Sequence, residues 1–278
     1  MPKKTSAIER IPLKRIRGNK YTGPIEEIFK AHFKPGVTEF EFTRDEFAQF
    51  AKKLGIDLAK NVGDIPYRFR YRTELPEYIR EKAPQGLEWI IEGAGRSKYR
   101  FKLARMNRIL PRAELATVKI PDSTPEIIES NALGDEQALL AKVRYNRLVD
   151  IFLGITAFSL QNHLRTFVKG IGQIEIDEIY IGIDRSGRQF VVPVQAKGGM
   201  DKHGIVQTSQ DIACCAVKFP NLICRPVSAQ FADEGRIAMF ELTMQDGDLK
   251  ILAEKHYQLV AASEITIADL QAYSLRED

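Results

Sequence analysis

Apolar positions along the chain follow two rhythms, one of three to four residues and one of two. In PIEEIFKAHF, residues 24–33, Ile25, Ile28, Phe29 and Phe33 fall at helical spacing behind an opening Pro, and Pro35 and Gly36 stop the run; a helix is predicted. FTRDEFAQFAKKLGI, residues 42–56, carries Thr43 as N-cap, Glu46 three residues later and Gly55 near its end. That is a capping box with a glycine stop, and it predicts a second helix. ELPEYIREKA, residues 74–83, reads as a shorter helix, and LEWIIEGAGRSKYRFKLAR, residues 87–105, as two strand-like runs punctuated by Gly.

The remainder alternates between the rhythms. GDEQALLAKVRYNRLVDIFL, residues 134–153, has good helix formers behind an Asp135 N-cap, and FSLQNHLRTFV, residues 158–168, is read as another helix. QIEIDEIYIGI and QFVVPVQAK then flank the turn DRSGR as two antiparallel strands. A helix, VQTSQDIACCAVKF, two apolar strands, NLICRPVSAQF and RIAMFELTM, and a last segment, ITIADLQAYSL, complete the chain. Helices followed by a hairpin predict a winged-helix-like α+β module over residues 1–125. Mixed α/β with a central mixed sheet flanked by helices is predicted over 126–278. The boundary falls in IPDSTPEIIESNALGDEQ, where Pro, Ser, Asn and Gly cluster.

Charge sharpens that division. The 278 residues carry a net charge of +4, but residues 1–120 hold 26 Lys and Arg against 15 Asp and Glu, and the remainder 15 against 22. A basic first part is a candidate polyanion binder, whereas an acidic second part implies a different task. In Tyr67-Arg68-Phe69-Arg70-Tyr71-Arg72 a strand would put three arginines on one face and three aromatics on the other. Lys98, Arg100 and Lys102 repeat the device. Either run alone also fits a solvated basic face; two of them in the basic part favour contact with nucleic-acid phosphates. No apolar run approaches the roughly 20 residues of a membrane span, so no membrane partner and a cytoplasmic location are expected. Cys214, Cys215 and Cys224 lack CxxC spacing, which argues against a disulfide framework or a zinc site.

The candidate chemistry lies in IEIDEIYIGIDRSGRQFVVPVQAKGG, residues 174–199. Core strands rarely hold carboxylates and a lysine unless partners satisfy them. Glu175 and Asp177 share one face of the first run, and Gln195 and Lys197 share one face of the second. Asp177, the Gln195 amide oxygen and the Ala196 carbonyl form a set of hard oxygen donors for Mg²⁺ beside a lysine that can orient or deprotonate water. That is equipment for phosphodiester hydrolysis.

Asp177 followed after a turn by Gln195-Ala196-Lys197 resembles the active-site signature of the PD-(D/E)XK nuclease superfamily, in the variant where Gln replaces the second acid. Ile176 stands where the consensus has Pro. The run from Ser159 to Asp211, with KFPNLICRPVSAQF after it, resembles the core of bacterial type II restriction endonucleases, and the basic first part their separate DNA-binding domain. The resemblance implies double-stranded DNA as substrate, Mg²⁺, a homodimer and a companion methyltransferase. It implies Asp177, Gln195 and Ala196 as metal ligands and Lys197 as the residue that positions water, with Glu175, Glu178 or the helical Glu136 as an additional acid. Gln195→Glu is expected to retain activity. Two other functions fit the same residues: a DNA-binding regulator with an inactive nuclease domain, and a structure-specific repair nuclease. His163 and Arg165 are read as a helix-surface pair, His203 as a loop residue, and Gln207 and Gln210 as helix residues beside the site.

Overall fold

The computed structural model describes residues 20–58, 61–71, 73–105, 109–131, 136–198, 203–232 and 235–275. The N-terminal elements are α1 (Thr22–His32), β1 (Glu39–Thr43), α2 (Arg44–Leu54), α3 (Asp64–Tyr71), α4 (Glu77–Arg80), β2 (Leu87–Gly95) and β3 (Lys98–Arg105). Helix α2 starts where its capping box predicts: the Thr43 N–H donates to the Glu46 carboxylate at 2.7 Å. It ends at Gly55, whose φ of 64° supplies the left-handed turn. Strand β1 is an addition to the predicted elements, although EFEFT alternates, with Phe42 buried between the exposed Glu41 and Thr43. The three strands form an antiparallel sheet in the order β1-β3-β2. Its core is aromatic; Phe101 lies 5.1 Å, ring to ring, from both Phe29 and Phe42.

The arginine–aromatic run is a helix and not the expected strand. Ile65 and Phe69, four apart, are both buried, which is a helical stripe. Asn61 starts the turn, its side-chain amide donating to Asp64 at 2.7 Å and its side-chain oxygen accepting the Gly63 N–H at 3.1 Å. In a helix two residues are about 200° apart, so Arg68 and Arg70 point to opposite sides. Arg72 lies outside the described residues, as does the Asp135 cap.

The C-terminal elements are β4 (Thr117–Pro121), α5 (Glu126–Glu129), α6 (Glu136–Tyr145), α7 (Leu148–Leu153), β5 (Thr156–Val168), β6 (Gly172–Ile183), β7 (Gln189–Lys197), α8 (Ile205–Lys218), β8 (Ile223–Cys224), β9 (Val227–Phe231), β10 (Arg236–Gln245), β11 (Asp248–Val260) and α9 (Ile267–Ser274). They build an eight-stranded mixed sheet, β4-β11-β10-β9-β7-β6-β5, with β8 against β7. Strand β7 runs parallel to β9, and β4 parallel to β11. Helices α6 and α7 pack on one face through Leu139, Val143 and Leu148; α8 covers the other through Val206, Cys214 and Cys215. Mixed α/β with a large mixed sheet flanked by helices is therefore the architecture.

Two expectations change here. Residues 158–168 form strand β5, because pairing with β6 (Leu164 opposite Ile176, Thr166 opposite Ile174) overrides their helical spacing. His163 and Arg165 accordingly lie on a strand. Strand β4, counted with the first part in sequence, hydrogen-bonds to β11 of the second sheet. That sheet therefore recruits chain from upstream of residue 126. The two parts meet through Ile90, Ala104 and Ile109 against Ile205, Val206 and Phe240. Beside that contact Gly93 abuts the β5–β6 turn so closely that a Cβ there would lie 2.0 Å from the Ile171 carbonyl oxygen. No helix among the described residues is long and apolar enough to cross a membrane.

Candidate functional site

Strands β6 and β7 pair in register from Ile183 opposite Gln189 to Glu178 opposite Val194, and then part. The Asp177 side chain fills the fork. Its carboxylate accepts the Ala196 N–H at 2.9 Å, taking the position of a ladder carbonyl. Gln195, 1% exposed, points from β7 toward α8 and donates to the Glu175 carbonyl oxygen at 3.2 Å. Lys197 follows on the same face. Its side chain is only 11% exposed, with Nζ 3.6 Å from a Glu136 carboxylate oxygen on α6. Asp177, Gln195 and Lys197 thus converge as strand parity predicts, and Lys197 does not run out into solvent.

The surrounding acids divide. Glu175 faces the same locus, paired with Arg165 at 3.0 Å and His163 at 3.7 Å. Glu178 does not belong to the site. It points through the sheet to the α6 side, fully buried, where Arg144 donates to it at 2.8 Å and Ser159 at 2.5 Å. The reason is parity: neighbours on a strand face opposite sides. Asp211, which sequence reasoning missed, is buried on α8 and accepts from the Gln195 amide. Its available signal was the spacing of four from Gln207, which puts both on the α8 face that meets β7.

Burial raises the Asp177 carboxyl above its ordinary value, opposed by the Lys197 charge and the Ala196 N–H. Burial likewise raises Asp211 well above the usual carboxylate range, against the Gln195 hydrogen bond and with the Asp177 charge adding to the rise. His203 is a loop residue, as read from the sequence, and it is buried. Burial, helped by the Lys197 charge, pushes its imidazole down to about 3, and it meets Thr208 Oγ1 at 2.5 Å. It is a neutral packing partner.

A cleft of about 960 Å³ spans both parts of the chain. Asp177, Gln195 and Lys197 lie on one side; Arg44, Arg96 and Lys98 line the other. Of the predicted phosphate-contacting residues, Lys98 and Arg70 reach this cleft. Lys98, Arg100 and Lys102 share one face of β3, yet Arg100 pairs with Glu41 at 2.9 Å, and Lys102 lies 3.9 Å from Glu92. Arg68 stacks on the Tyr21 ring at 4.8 Å and donates to Thr73 at 3.0 Å. Arg44 and Arg96 were missed because they come together only through the fold: Arg44 opens α2 and hydrogen-bonds through its backbone N–H to the Ser97 carbonyl at 2.9 Å.

The donor set at the fork is a carboxylate, a primary amide and the Ala196 carbonyl, which shares the edge of its own N–H. These are hard oxygens of the kind Mg²⁺ takes together with waters and phosphates, not a cage. No three His, Cys, Asp or Glu gather as a metal cluster among the described residues. Comparison with family models, with curated proteins and with solved structures finds no match.

Proposed function

We propose that the protein is a Mg²⁺-dependent endonuclease of double-stranded DNA, of the type II restriction class, working as a homodimer beside a companion methyltransferase. The observation that carries this reading is the convergence of Asp177, Gln195 and Lys197 at the β6–β7 fork, inside a cleft whose facing wall is basic. The order α6-α7-β5-β6-β7-α8-β8-β9, with β7 parallel to β9, agrees with the PD-(D/E)XK core that the sequence resembles. The order α1-β1-α2-α3-α4 followed by the β2–β3 hairpin agrees with a winged-helix DNA reader.

Asp177, Gln195 and the Ala196 carbonyl would hold Mg²⁺, which would supply charge neutralisation of the phosphate and a more acidic water. Lys197, kept on the site by Glu136, orients the attacking water and stabilises charge that grows on the phosphate oxygens. Arg44, Arg96 and Lys98 hold the backbone of the duplex across the cleft. Gln195, a neutral group where an acid is common, favours one second reading, a DNA-binding regulator without cleavage.

Purified protein incubated with unmethylated DNA and Mg²⁺, followed by sequencing of the ends, tests both. Cleavage at a defined sequence that Lys197→Ala abolishes, with DNA binding retained, is the expected result. Binding without cuts selects the regulator; cuts confined to branched substrates select a repair nuclease.

A further inference from the structure

An amide has two nearly isosteric ends, and only its oxygen can ligate a cation. Which end of Gln195 faces the fork therefore decides whether the site works. Its Nε2 donates to the Glu175 carbonyl oxygen at 3.2 Å and meets both carboxylate oxygens of Asp211, at 3.2 and 3.1 Å. Flipping the amide would put Oε1 against those three oxygens at the same distances. Gln195 and Asp211 are 1% and 2% exposed, so bulk water cannot relieve the repulsion. The remaining orientation leaves Oε1 away from Asp211, where Gln207 Nε2 approaches to 3.5 Å.

On the reading of this fork as a Mg²⁺ site, we infer that Asp211 is a positioning residue: it locks the Gln195 amide with its oxygen toward the cation. It acts as a carboxylate does behind a metal-bound histidine, fixing the ligand's orientation and making its donor atom more basic. Asp211 is not itself a ligand in this arrangement, since both its oxygens face Nε2. The pair also changes the expectation for Gln195→Glu. A second carboxylate would stand about 3 Å from Asp211 in a buried site, where two like charges cannot both ionise without cost.

Four proteins test this: wild type, Asp211→Asn, Gln195→Glu, and the exchange Gln195→Glu/Asp211→Asn, which keeps the net charge and reverses donor and acceptor. Each is melted in EDTA and then titrated calorimetrically with Mg²⁺. Asp211→Asn, which leaves only the Glu175 carbonyl oxygen to oppose a flipped amide, is expected to weaken Mg²⁺ binding about 10- to 100-fold. Gln195→Glu is expected to lower the metal-free melting temperature, and the exchange to restore both properties. Wild-type Mg²⁺ affinity in Asp211→Asn, or an exchange variant no better than Gln195→Glu, overturns the inference. If Asp211→Asn does not fold, the exchange variant decides alone: Mg²⁺ binding like wild type supports the inference, and loss of binding overturns it. Cleavage assays separate the two readings. A wild type that binds Mg²⁺ through this pair but cuts no DNA refutes the nuclease and keeps the role of Asp211; cleavage by Asp211→Asn at the wild-type rate and Mg²⁺ dependence does the reverse. Failure of the wild type to bind Mg²⁺ refutes both.

Discussion

Replacing Arg144 by Met isolates the ion pair that ties helix α6 to the back of strand β6. Arg144 Nε lies 2.8 Å from Glu178, whose side chain is fully buried, while the arginine is 35% exposed. Methionine matches the aliphatic stem but leaves the buried Glu178 with Ser159 and Tyr180 and no cation. Breaking a buried pair from one side costs about 3–5 kcal/mol; with one partner partly in water the low end, about 3 kcal/mol, is expected. For a protein of this size each kcal/mol shifts the melting temperature by roughly 2–4 °C, so a drop of about 6–12 °C should appear by calorimetry. Glu178→Gln in the same background removes the stranded charge yet keeps a hydrogen-bonding partner for Ser159, and should recover most of the loss. The reasoning fails if Arg144→Met costs under about 1 kcal/mol, the value of an exposed pair, or if Glu178→Gln brings no recovery. Activity provides a second reading of the same change. Helix α6 carries Glu136 to within 3.6 Å of Lys197, so loosening it should lower cleavage rate more than DNA affinity.

Asp177→Asn should abolish cleavage yet stabilise the metal-free protein at neutral pH. The carboxyl is raised by burial above its ordinary 3.8, so the folded state binds its proton more tightly than the unfolded state, and the charged form costs stability above that window. The melting-temperature gain over wild type should therefore be full at neutral pH and vanish below the ordinary value; a gain that grows toward acid contradicts the assigned cause. Replacing Arg44, Arg96 and Lys98 by Ala should reduce the salt dependence of DNA binding by up to about 3 × 0.9 units of log–log slope, whereas Arg100→Ala and Lys102→Ala, already paired within the sheet, should leave it unchanged. Equal effects of the two sets would remove the cleft from the binding surface. Gly93→Ala puts a Cβ 2.0 Å from the Ile171 carbonyl and should cost about 1–3 kcal/mol as an overpacked contact, read by denaturant unfolding. An unchanged midpoint would mean that this face of the N-terminal part is not seated on the β5–β6 turn.

Elements with their own punctuation were legible in the chain. The Thr43–Glu46 box and Gly55 marked α2, and the Asp184 turn between two Ile- and Val-rich runs marked β6 and β7, because each signal is satisfied within a few residues. Asp184 accepts the backbone N–H groups of Ser186 and Arg188, both at 2.9 Å. What misled was periodicity without local closure. The Arg–aromatic alternation of residues 67–72 and the helical spacing of residues 158–168 each fit one element by pattern and another by contact. In α3 the buried pair Ile65 and Phe69 decides, and in β5 the whole length of β6 does. The charge asymmetry of the chain was visible, but the cations that line the cleft were chosen by ion pairing inside the β1-β3-β2 sheet, which no count of charges reveals.

The same limit governs the site. Strand parity put Glu175, Asp177, Gln195 and Lys197 on one face because parity is a property of single strands and a short turn. Glu178 could be set aside by that rule once β6 was known to be buried on both faces. Asp211 could not be found that way: it reaches Gln195 only after α8 crosses back over the sheet, in a β7-α8-β9 unit that the sequence implies but does not dimension. A neutral Gln at an acidic position reads, along the chain, as a weakened ligand. Across the sheet it reads as one member of a buried amide–carboxyl pair, with the acid on the helix behind the strand and not on the strand itself. Whether that fork holds a cation therefore depends on two residues 16 apart, only one of which belongs to the motif.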